Sequence, residues 1–150
     1  MEGDRYSMNT KWDKRFLELA KHVSHWSKDP STKVGAVITR DKKVVGIGYN
    51  GFATGINDSD ERLHNRELKY RYVIHAEVNS ILNSNGPVDG CTLFTYPLSP
   101  CEGCMKMVIQ AGIKRVVYPT PSEELRQRWG ESLDFSVGMA REAGLELVEL

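Results

Sequence analysis

The chain has 150 residues, 40% of them hydrophobic, and its 20 basic and 20 acidic side chains balance to a net charge of zero. That length suits a single domain over residues 1–150, and the balanced charge excludes the overall basic surface expected of a protein that binds long nucleic acid or an anionic membrane. No apolar run reaches the roughly 18 residues of a membrane span, no signal-peptide core follows Met1, and the three cysteines do not pair evenly, so we expect a cytoplasmic protein in a reducing compartment.

Apolar side chains at helical spacing predict a first helix that ends within residues 27–30. The stripe consists of Trp12, Phe16, Leu19, Val23 and Trp26. Aromatic residues at this spacing form a core face far more often than a base-stacking platform, so we assign the stripe to the core. Residues 34–38 and 44–49 are short apolar runs on either side of a turn at 41–43, which predicts a β-hairpin.

The hairpin ends in the motif Gly48-Tyr49-Asn50-Gly51. Its two glycines would permit positive φ and the close approach of another molecule to the backbone, and the alternative is an ordinary turn at the end of a strand. Residues 52–72 are polar, and we predict that they are irregular. Their basic residues most often form a solvated face and less often a phosphate site. These residues are Arg62, Arg66, Lys69 and Arg71.

The second half of the chain alternates helices and strands. A helix is predicted over residues 77–83, a strand over 91–96, a helix from Pro100 to about Ala111 with Gly112 at its end, and a strand over 115–118. Leu133, Val137 and Ala140 mark a last helix before a strand at 145–150. The predicted order is α-β-β-α-β-α-β-α-β, and the helix between the last two strands makes them parallel through a right-handed crossover. Cys91 is predicted to be an inert, packed thiol.

The residues that carry chemistry are His75, Glu77 and the pair Cys101 and Cys104. One histidine and two thiolates are three zinc ligands, which leave the fourth tetrahedral position for water and so indicate a catalytic rather than a closed structural site. The two cysteines are three residues apart at a predicted helix start, where they share a face and where the helix dipole favours thiolates. His75 and Glu77 are two residues apart, so both can face one site only where a helix begins.

Glu77 is predicted to move protons rather than to bind the metal. A carboxylate beside zinc-activated water can take its proton and return protons to a substrate nitrogen and a leaving amine, which is the chemistry of hydrolytic deamination. The alternative is a closed zinc site in a binding module without turnover, in which Glu77 or another residue completes the metal shell. Such a site usually has a fourth Cys or His, and the free candidates His64 and Cys91 lie outside the paired motif.

The His-x-Glu motif at 75–77 and the Pro-Cys-x-x-Cys motif at 100–104 resemble the signature of the zinc-dependent nucleotide deaminases. Within that superfamily the chain most resembles the deoxycytidylate (dCMP) deaminases, from about Trp12 to Tyr118. The matching segments are 27–37, 46–51, 69–77 and 109–114. The resemblance implies the α/β class, with the three-layer α-β-α cytidine deaminase-like fold and a mixed five-stranded sheet whose last two strands are parallel.

An activity and a set of site residues are implied by the same resemblance. The reaction is hydrolytic deamination of dCMP at C4 to dUMP and ammonia, a step toward thymidylate synthesis, with one catalytic Zn²⁺ per subunit. Glu77 is the implied catalytic residue, and the implied metal ligands are His75, Cys101 and Cys104. The implied substrate contacts are the Ala76 backbone N–H to the pyrimidine O2, Asn50 to the sugar hydroxyl, and Lys33 and Ser31 near the 5′-phosphate.

Regulation and assembly are also implied by the resemblance. Deaminases of this family are commonly homohexamers that dCTP activates and dTTP inhibits, with Mg²⁺ accompanying the nucleotide. The implied effector site includes Gly48, Tyr49, Asn50 and Gly51.

One segment of the chain departs from the family pattern, and a second class of deaminase remains an alternative. Residues 95–100 are one residue longer than the usual lead into the cysteines and carry an additional proline, so we expect a different loop over the substrate. A tRNA adenosine or polynucleotide cytidine deaminase shares the metal, the glutamate and the base pocket. It would want a basic groove and exposed stacking aromatics, and the zero net charge argues against it.

Overall fold

The computed structural model describes residues 2–150 and the side chains of residues 11–150. Within these residues the elements are, in chain order, α1 (Glu2–Ser24), β1 (Gly35–Arg40), β2 (Lys43–Tyr49), β3 (Gly51–Phe52), α2 (Asp60–His64), α3 (Arg66–Tyr72), β4 (Val73–Ile74), α4 (Ala76–Leu82), β5 (Thr92–Tyr96), α5 (Glu102–Gln110), β6 (Arg115–Tyr118), α6 (Glu123–Glu142) and β7 (Glu146–Glu149). None of the helices in the described part of the chain combines the length and the apolar character of a transmembrane span.

The longer strands form one mixed sheet in the order β2-β1-β5-β6-β7, and β3 pairs with β4 in a separate two-stranded ladder. β1 is antiparallel to both β2 and β5, whereas β5, β6 and β7 run parallel. The predicted hairpin and the predicted parallel pair at the end of the chain are therefore confirmed. The tight turn of the hairpin, between β1 and β2, has positive φ at Asp41 (52°) and Lys42 (65°). Two-residue hairpin loops favour this backbone conformation because it matches the twist of the strands.

Alternate side chains of the strands pack against opposite helical layers, because successive residues of a strand face opposite sides of the sheet. One face packs with α1 in a cluster made of Ala20, Val37, Phe94 and Val117. The other face packs with α4 and α5 in a cluster that includes Ile38, Ala76, Leu93, Met105 and Val116. The predicted three-layer α-β-α fold is confirmed.

Glycines in β2 let the sheet approach α4 closely. A Cβ on Gly48 would lie 2.4 Å from the backbone nitrogen of Ser80, and a Cβ on Gly46 would lie 2.6 Å from the carbonyl oxygen of Ser80. Neither Gly48 nor Gly51 has positive φ, so the motif does not use the left-handed backbone that its glycines would permit. Gly48 is required because any side chain there would collide with α4. The close packing fixes α4, and with it the residues at its start, against the sheet.

The prediction of irregular structure over residues 52–72 is wrong, because this segment forms α2 and α3. Each helix has a side-chain N-cap: the Arg62 N–H donates to Ser59, and the Leu68 N–H donates to Asn65. Serine and asparagine are favoured capping residues, but helices of 5 and 7 residues are too short for a hydrophobic period to identify them.

The boundaries of three helices show where the sequence patterns predict helix ends correctly and where they do not. α1 ends at Ser24, so Trp26 lies beyond it, is 49% exposed and meets Tyr49 edge-on, and its assignment to the core is wrong. Gly112, with a φ of +89°, follows the end of α5 as predicted. α6 begins at Glu123, well before the apolar residues that mark it in the sequence.

Candidate active site

Two helix starts carry the three potential metal ligands. His75 is the N-cap residue of α4, Cys101 is the N-cap residue of α5, and Cys104 lies in the first turn of α5. The His75 Nδ1 atom is 3.5 Å from the Cys101 Sγ atom and 3.2 Å from the Cys104 Sγ atom. Neither N-cap side chain caps its own helix, since both point toward the shared cluster. The two helix starts therefore face each other, as the spacing of these residues predicts.

This cluster fits a zinc ion. Its three ligand atoms lie within 4.8 Å of one another, and tetrahedral zinc with ordinary Zn–N and Zn–S bonds holds such atoms about 3.5 to 3.8 Å apart. Among the described side chains no fourth His, Cys, Asp or Glu joins the group. One nitrogen and two sulfurs leave one tetrahedral position for water, which is the arrangement of a catalytic zinc site.

The protonation state of the two cysteines also favours the binding of a cation by the cluster. A hydrogen bond with Cys104 lowers the pKa of the Cys101 thiol to about 4, so one thiolate forms readily at neutral pH. The same hydrogen bond raises the pKa of Cys104, because the remaining proton is shared with a thiolate. A hydrogen bond with Cys101 raises the pKa of His75. A bound divalent cation would replace these shared protons and draw both sulfurs into the thiolate form.

Glu77 lies beside the cluster without belonging to it. The residue is in the first turn of α4 and is only 4% exposed. Burial raises the pKa of its carboxyl group to about 7, and a hydrogen bond with the Cys104 thiol opposes part of this shift. A carboxyl group whose pKa is near neutrality can both accept and return a proton. A carboxyl group with this position and this pKa is able to carry protons, as the sequence predicts for Glu77.

A pocket beside this cluster is lined by several of the predicted site residues. Its walls come from the loop between α1 and β1, from the end of β2, from α3, from the start of α4, from the segment before α5, and from α6. The predicted site residues that line it are Ser31, Asn50, His75, Ala76, Glu77 and Cys101. Lys33 is not among the lining residues: it is exposed, and its Nζ atom donates to the Ser27 carbonyl at 2.9 Å.

Asn50 organises the loop that forms one wall of the pocket. Its Oδ1 atom accepts from the Val34 N–H at 2.9 Å, and its Nδ2 atom donates to the Thr32 carbonyl at 2.9 Å. Asn50 is buried, so these bonds tie the end of β2 to residues 32–34. The residue predicted to contact the sugar therefore also holds the shape of the pocket wall.

Two basic residues outside the predicted set of substrate contacts, Lys69 and Arg128, line the same pocket. The Lys69 Nζ atom forms a buried ion pair with Asp29 at 3.1 Å, so its charge is compensated. Arg128, from α6, donates to the Thr32 hydroxyl at 3.3 Å. The sequence assigns Lys69 to a solvated charged face, with a phosphate site as the alternative, and Arg128 lies in a segment without a motif. The N-caps around α3 are the signal that could have placed Lys69, whereas no local pattern identifies Arg128.

The segment proposed for effector binding lies at the edge of this site. Gly48 is buried against α4, whereas Tyr49 is 41% exposed with its ring edge-on to Trp26. The Tyr49 carbonyl accepts from the Asn79 side chain at 2.9 Å. Asn50, the next residue, turns inward to the pocket. The motif therefore joins an exposed aromatic surface to the pocket wall.

Comparison with known proteins finds deaminases. Residues 10–120 match the family model described as the cytidine and deoxycytidylate deaminase zinc-binding region. A protein from Aliivibrio fischeri named an uncharacterized deaminase is 42% identical over 143 residues, which cover 95% of this chain and 96% of that protein. Mouse deoxycytidylate deaminase is 42% identical over 117 residues, which cover 71% of this chain and 64% of the mouse enzyme. The match thus spans slightly less than two thirds of the mouse enzyme.

A solved structure has the same fold. The crystal structure of dCMP deaminase from the cyanophage S-TIM5, in complex with dCMP and dUMP, superposes with a TM-score of 0.74 and covers 94% of this chain and 98% of that chain. The sequence identity is 24%, so the likeness establishes the shared fold.

Proposed function

The chain belongs to the cytidine and deoxycytidylate deaminase zinc-binding family, and from that premise we propose that it hydrolyses dCMP to dUMP and ammonia. The observation that carries the proposal is the group of His75, Cys101 and Cys104 beside the buried carboxyl group of Glu77. The sequence identity to curated deoxycytidylate deaminases supports dCMP as the substrate. A closed structural zinc site would not place an ionisable carboxyl group against an open ligand position.

The proposed mechanism assigns each step to a residue of this chain. A zinc ion held by His75, Cys101 and Cys104 would supply Lewis-acid activation of water at neutral pH. Glu77 would take a proton from the attacking water and deliver it to the ring nitrogen N3. As the C4–N bond breaks, Glu77 would take the remaining proton of the added hydroxyl, whose oxygen becomes the C4 carbonyl, and would pass that proton to the amino group, which leaves as ammonia. The backbone N–H of Ala76 would hold the pyrimidine O2 during these transfers.

The 5′-phosphate is proposed to bind at the Arg128 side of the pocket. Lys69 and Asp29 neutralise each other, whereas Arg128 is an exposed cation whose bonded partner, Thr32, is uncharged. Ser31 lines the same wall and can donate its hydroxyl. The Lys33 ammonium group is engaged by the Ser27 carbonyl outside the lining, so Arg128 and Ser31 are the stronger candidates.

Arg128→Ala is expected to raise the KM for dCMP by about 10-fold to 100-fold, because a charged hydrogen bond to phosphate is worth about 1.5–3 kcal/mol. Turnover of deoxycytidine and zinc content should not change. The matched control is Arg126→Ala, since Arg126 lies on the same helix but pairs with Asp134 at 3.2 Å outside the pocket lining. An equal loss with dCMP and deoxycytidine would show that Arg128 does not read the phosphate.

Asn50→Ala is expected to weaken dCMP binding while zinc content stays the same. The change would remove the proposed sugar contact together with the bonds to Val34 and Thr32 that shape the wall. Since each lost hydrogen bond costs about 0.5–1.5 kcal/mol, we expect both a higher KM and a lower melting temperature. Steady-state kinetics and thermal unfolding test this, and unchanged kinetics would remove Asn50 from the binding site.

An ammonia-release assay tests the function directly. The purified protein would be given dCMP, dCTP, deoxycytidine and a tRNA anticodon stem, each at equal concentration. We expect dCMP to be the preferred substrate. A preference for the tRNA stem would support the polynucleotide alternative, and a folded, zinc-containing protein that releases ammonia from none of the four would support a binding module.

We also propose that the enzyme is a homohexamer regulated by dCTP as activator and dTTP as inhibitor, with Mg²⁺ bound to the nucleotide. Support comes from the family resemblance of residues 48–51 and from the exposed rings of Tyr49 and Trp26 beside them. The same assay with each nucleotide, with and without Mg²⁺, tests regulation, and sedimentation tests the assembly. The absence of any nucleotide effect would contradict the regulatory part alone.

A further inference from the structure

Two serine hydroxyls of α6 hold the backbone on either side of Cys101. The Ser136 Oγ atom donates to the Pro100 carbonyl at 2.7 Å, and Ser136 is completely buried. The Glu102 N–H donates to the Ser132 Oγ atom at 3.1 Å. Ser132 and Ser136 are four residues apart, so they lie one above the other on a single face of α6. That face therefore contacts the metal-binding turn at two consecutive points.

The start of α5 needs these bonds because the Cys101 side chain does not cap the helix. An N-cap side chain ordinarily accepts from one of the unpaired N–H groups in the first turn of its helix. Cys101 forms no such bond, since its sulfur is directed at His75. Ser132 satisfies one of these N–H groups from a different helix. Ser136 satisfies the buried Pro100 carbonyl, and an unpaired buried carbonyl would lower stability.

Both peptide groups that flank the Cys101 Cα atom are thereby fixed. The backbone of Cys101 is extended, with φ of −68° and ψ of 169°, and these two angles determine where the Sγ atom can point. A rotation of either peptide plane would move the sulfur away from His75 Nδ1, which lies 3.5 Å away. The hydroxyls therefore act on the metal ligand through its backbone.

α6 is itself well anchored. Leu133 and Ala140 are buried on this helix, so the helix that carries the hydroxyls is fixed by the core rather than by the turn it contacts. The match to the family model ends at residue 120, before α6 begins at Glu123. The family signature therefore assigns no role to these serines.

We propose that Ser132 and Ser136 are positioning residues of the metal centre, which orient Cys101 for zinc through hydrogen bonds to Pro100 and Glu102. The inference rests on the proposed function through its zinc site, and it does not depend on which nucleotide is deaminated. Interactions that orient a metal ligand typically contribute about 10-fold to 100-fold in metal affinity.

The double variant Ser132→Ala/Ser136→Ala is expected to release zinc to a chromogenic chelator about 10-fold to 100-fold faster than the parent chain does. A second readout is the absorption of the cobalt-substituted protein, in which a displaced Cys101 thiolate would weaken the sulfur-to-cobalt charge-transfer band. The conservative variant Ser132→Thr, made alone in the parent chain, keeps a hydroxyl at this half-buried position. It should release zinc at the parent rate.

Ser24→Ala is the matched control. Ser24 is equally buried, but its hydroxyl donates to the Lys21 carbonyl within α1, in the helical layer that does not contact the site. The control should lower stability without changing zinc release. If the double variant does not fold, the single Ser132→Ala variant decides the question, because Ser132 is only half-buried.

The outcomes separate this inference from the proposed function. Unchanged zinc release and an unchanged cobalt spectrum in a folded variant would overturn the positioning role while leaving the deaminase proposal intact. A parent chain that retains no zinc would overturn both. A parent chain that retains zinc without converting dCMP would overturn the proposed function, and the comparison of zinc release rates would still decide the role of the two serines.

Discussion

Glu77→Gln is expected to lower kcat for ammonia release by about 10²-fold to 10⁴-fold, the usual contribution of a general acid and base. Glutamine preserves the size of the side chain but can neither accept the water proton nor return protons to the substrate. Because Glu77 is outside the group of three ligand atoms, the variant should bind zinc as the parent does. Burial raises the pKa of the carboxyl group to about 7, so replacing it with a neutral amide should not lower the melting temperature.

The matched control for this variant is Glu102→Gln. Glu102 also lies in the first turn of a helix beside the metal ligands, but it is exposed. Its change should leave kcat and zinc content nearly unaltered. Steady-state ammonia release and a zinc assay on the same samples make the comparison. Activity that persists in Glu77→Gln would remove Glu77 from the mechanism, and loss of zinc from it would favour a structural metal site with Glu77 as a ligand.

The sequence predicts that His75, Cys101 and Cys104 lie together, because the spacing of these residues is largely local. Cys101 and Cys104 lie three residues apart at a helix start, and His75 and Glu77 share the start of another helix. The alternating strands are equally readable: Val37 and Ile38 pack in different clusters on opposite faces of the sheet. Only the meeting of the two helix starts is non-local, and it follows from the packing of α4 and α5 against the same face of the sheet.

The rest of the site depends on contacts between distant parts of the chain. Arg128 reaches Thr32, and Lys69 reaches Asp29, only after α6 and α3 have packed. No spacing within the chain encodes either contact. The same reason applies to Lys33, since a basic residue in the right loop can point to a carbonyl outside the pocket. Substrate contacts are thus less predictable from sequence than metal ligands are.

Cys104→Ala is expected to abolish ammonia release and to weaken zinc binding by about 10²-fold or more. Losing one of three protein ligands removes roughly a third of a zinc binding free energy of about 10 kcal/mol. Cys104 is the buried member of the three ligands, and its sulfur lies 3.2 Å from His75 Nδ1. Zinc competition with a chromogenic chelator and ammonia release on dCMP measure the two effects.

The response of the fold to the same change separates a catalytic from a structural metal. The two apolar clusters on either face of the sheet are built from strands and helices that do not depend on the ligand side chains, so the metal-free chain should remain folded with a lower melting temperature. Cys91→Ala is the matched control, because Cys91 is a buried cysteine of the core cluster and its loss should lower stability while zinc and activity persist. A Cys104→Ala chain that is unfolded, together with a parent chain that unfolds when zinc is chelated, would instead indicate a metal that holds the domain together.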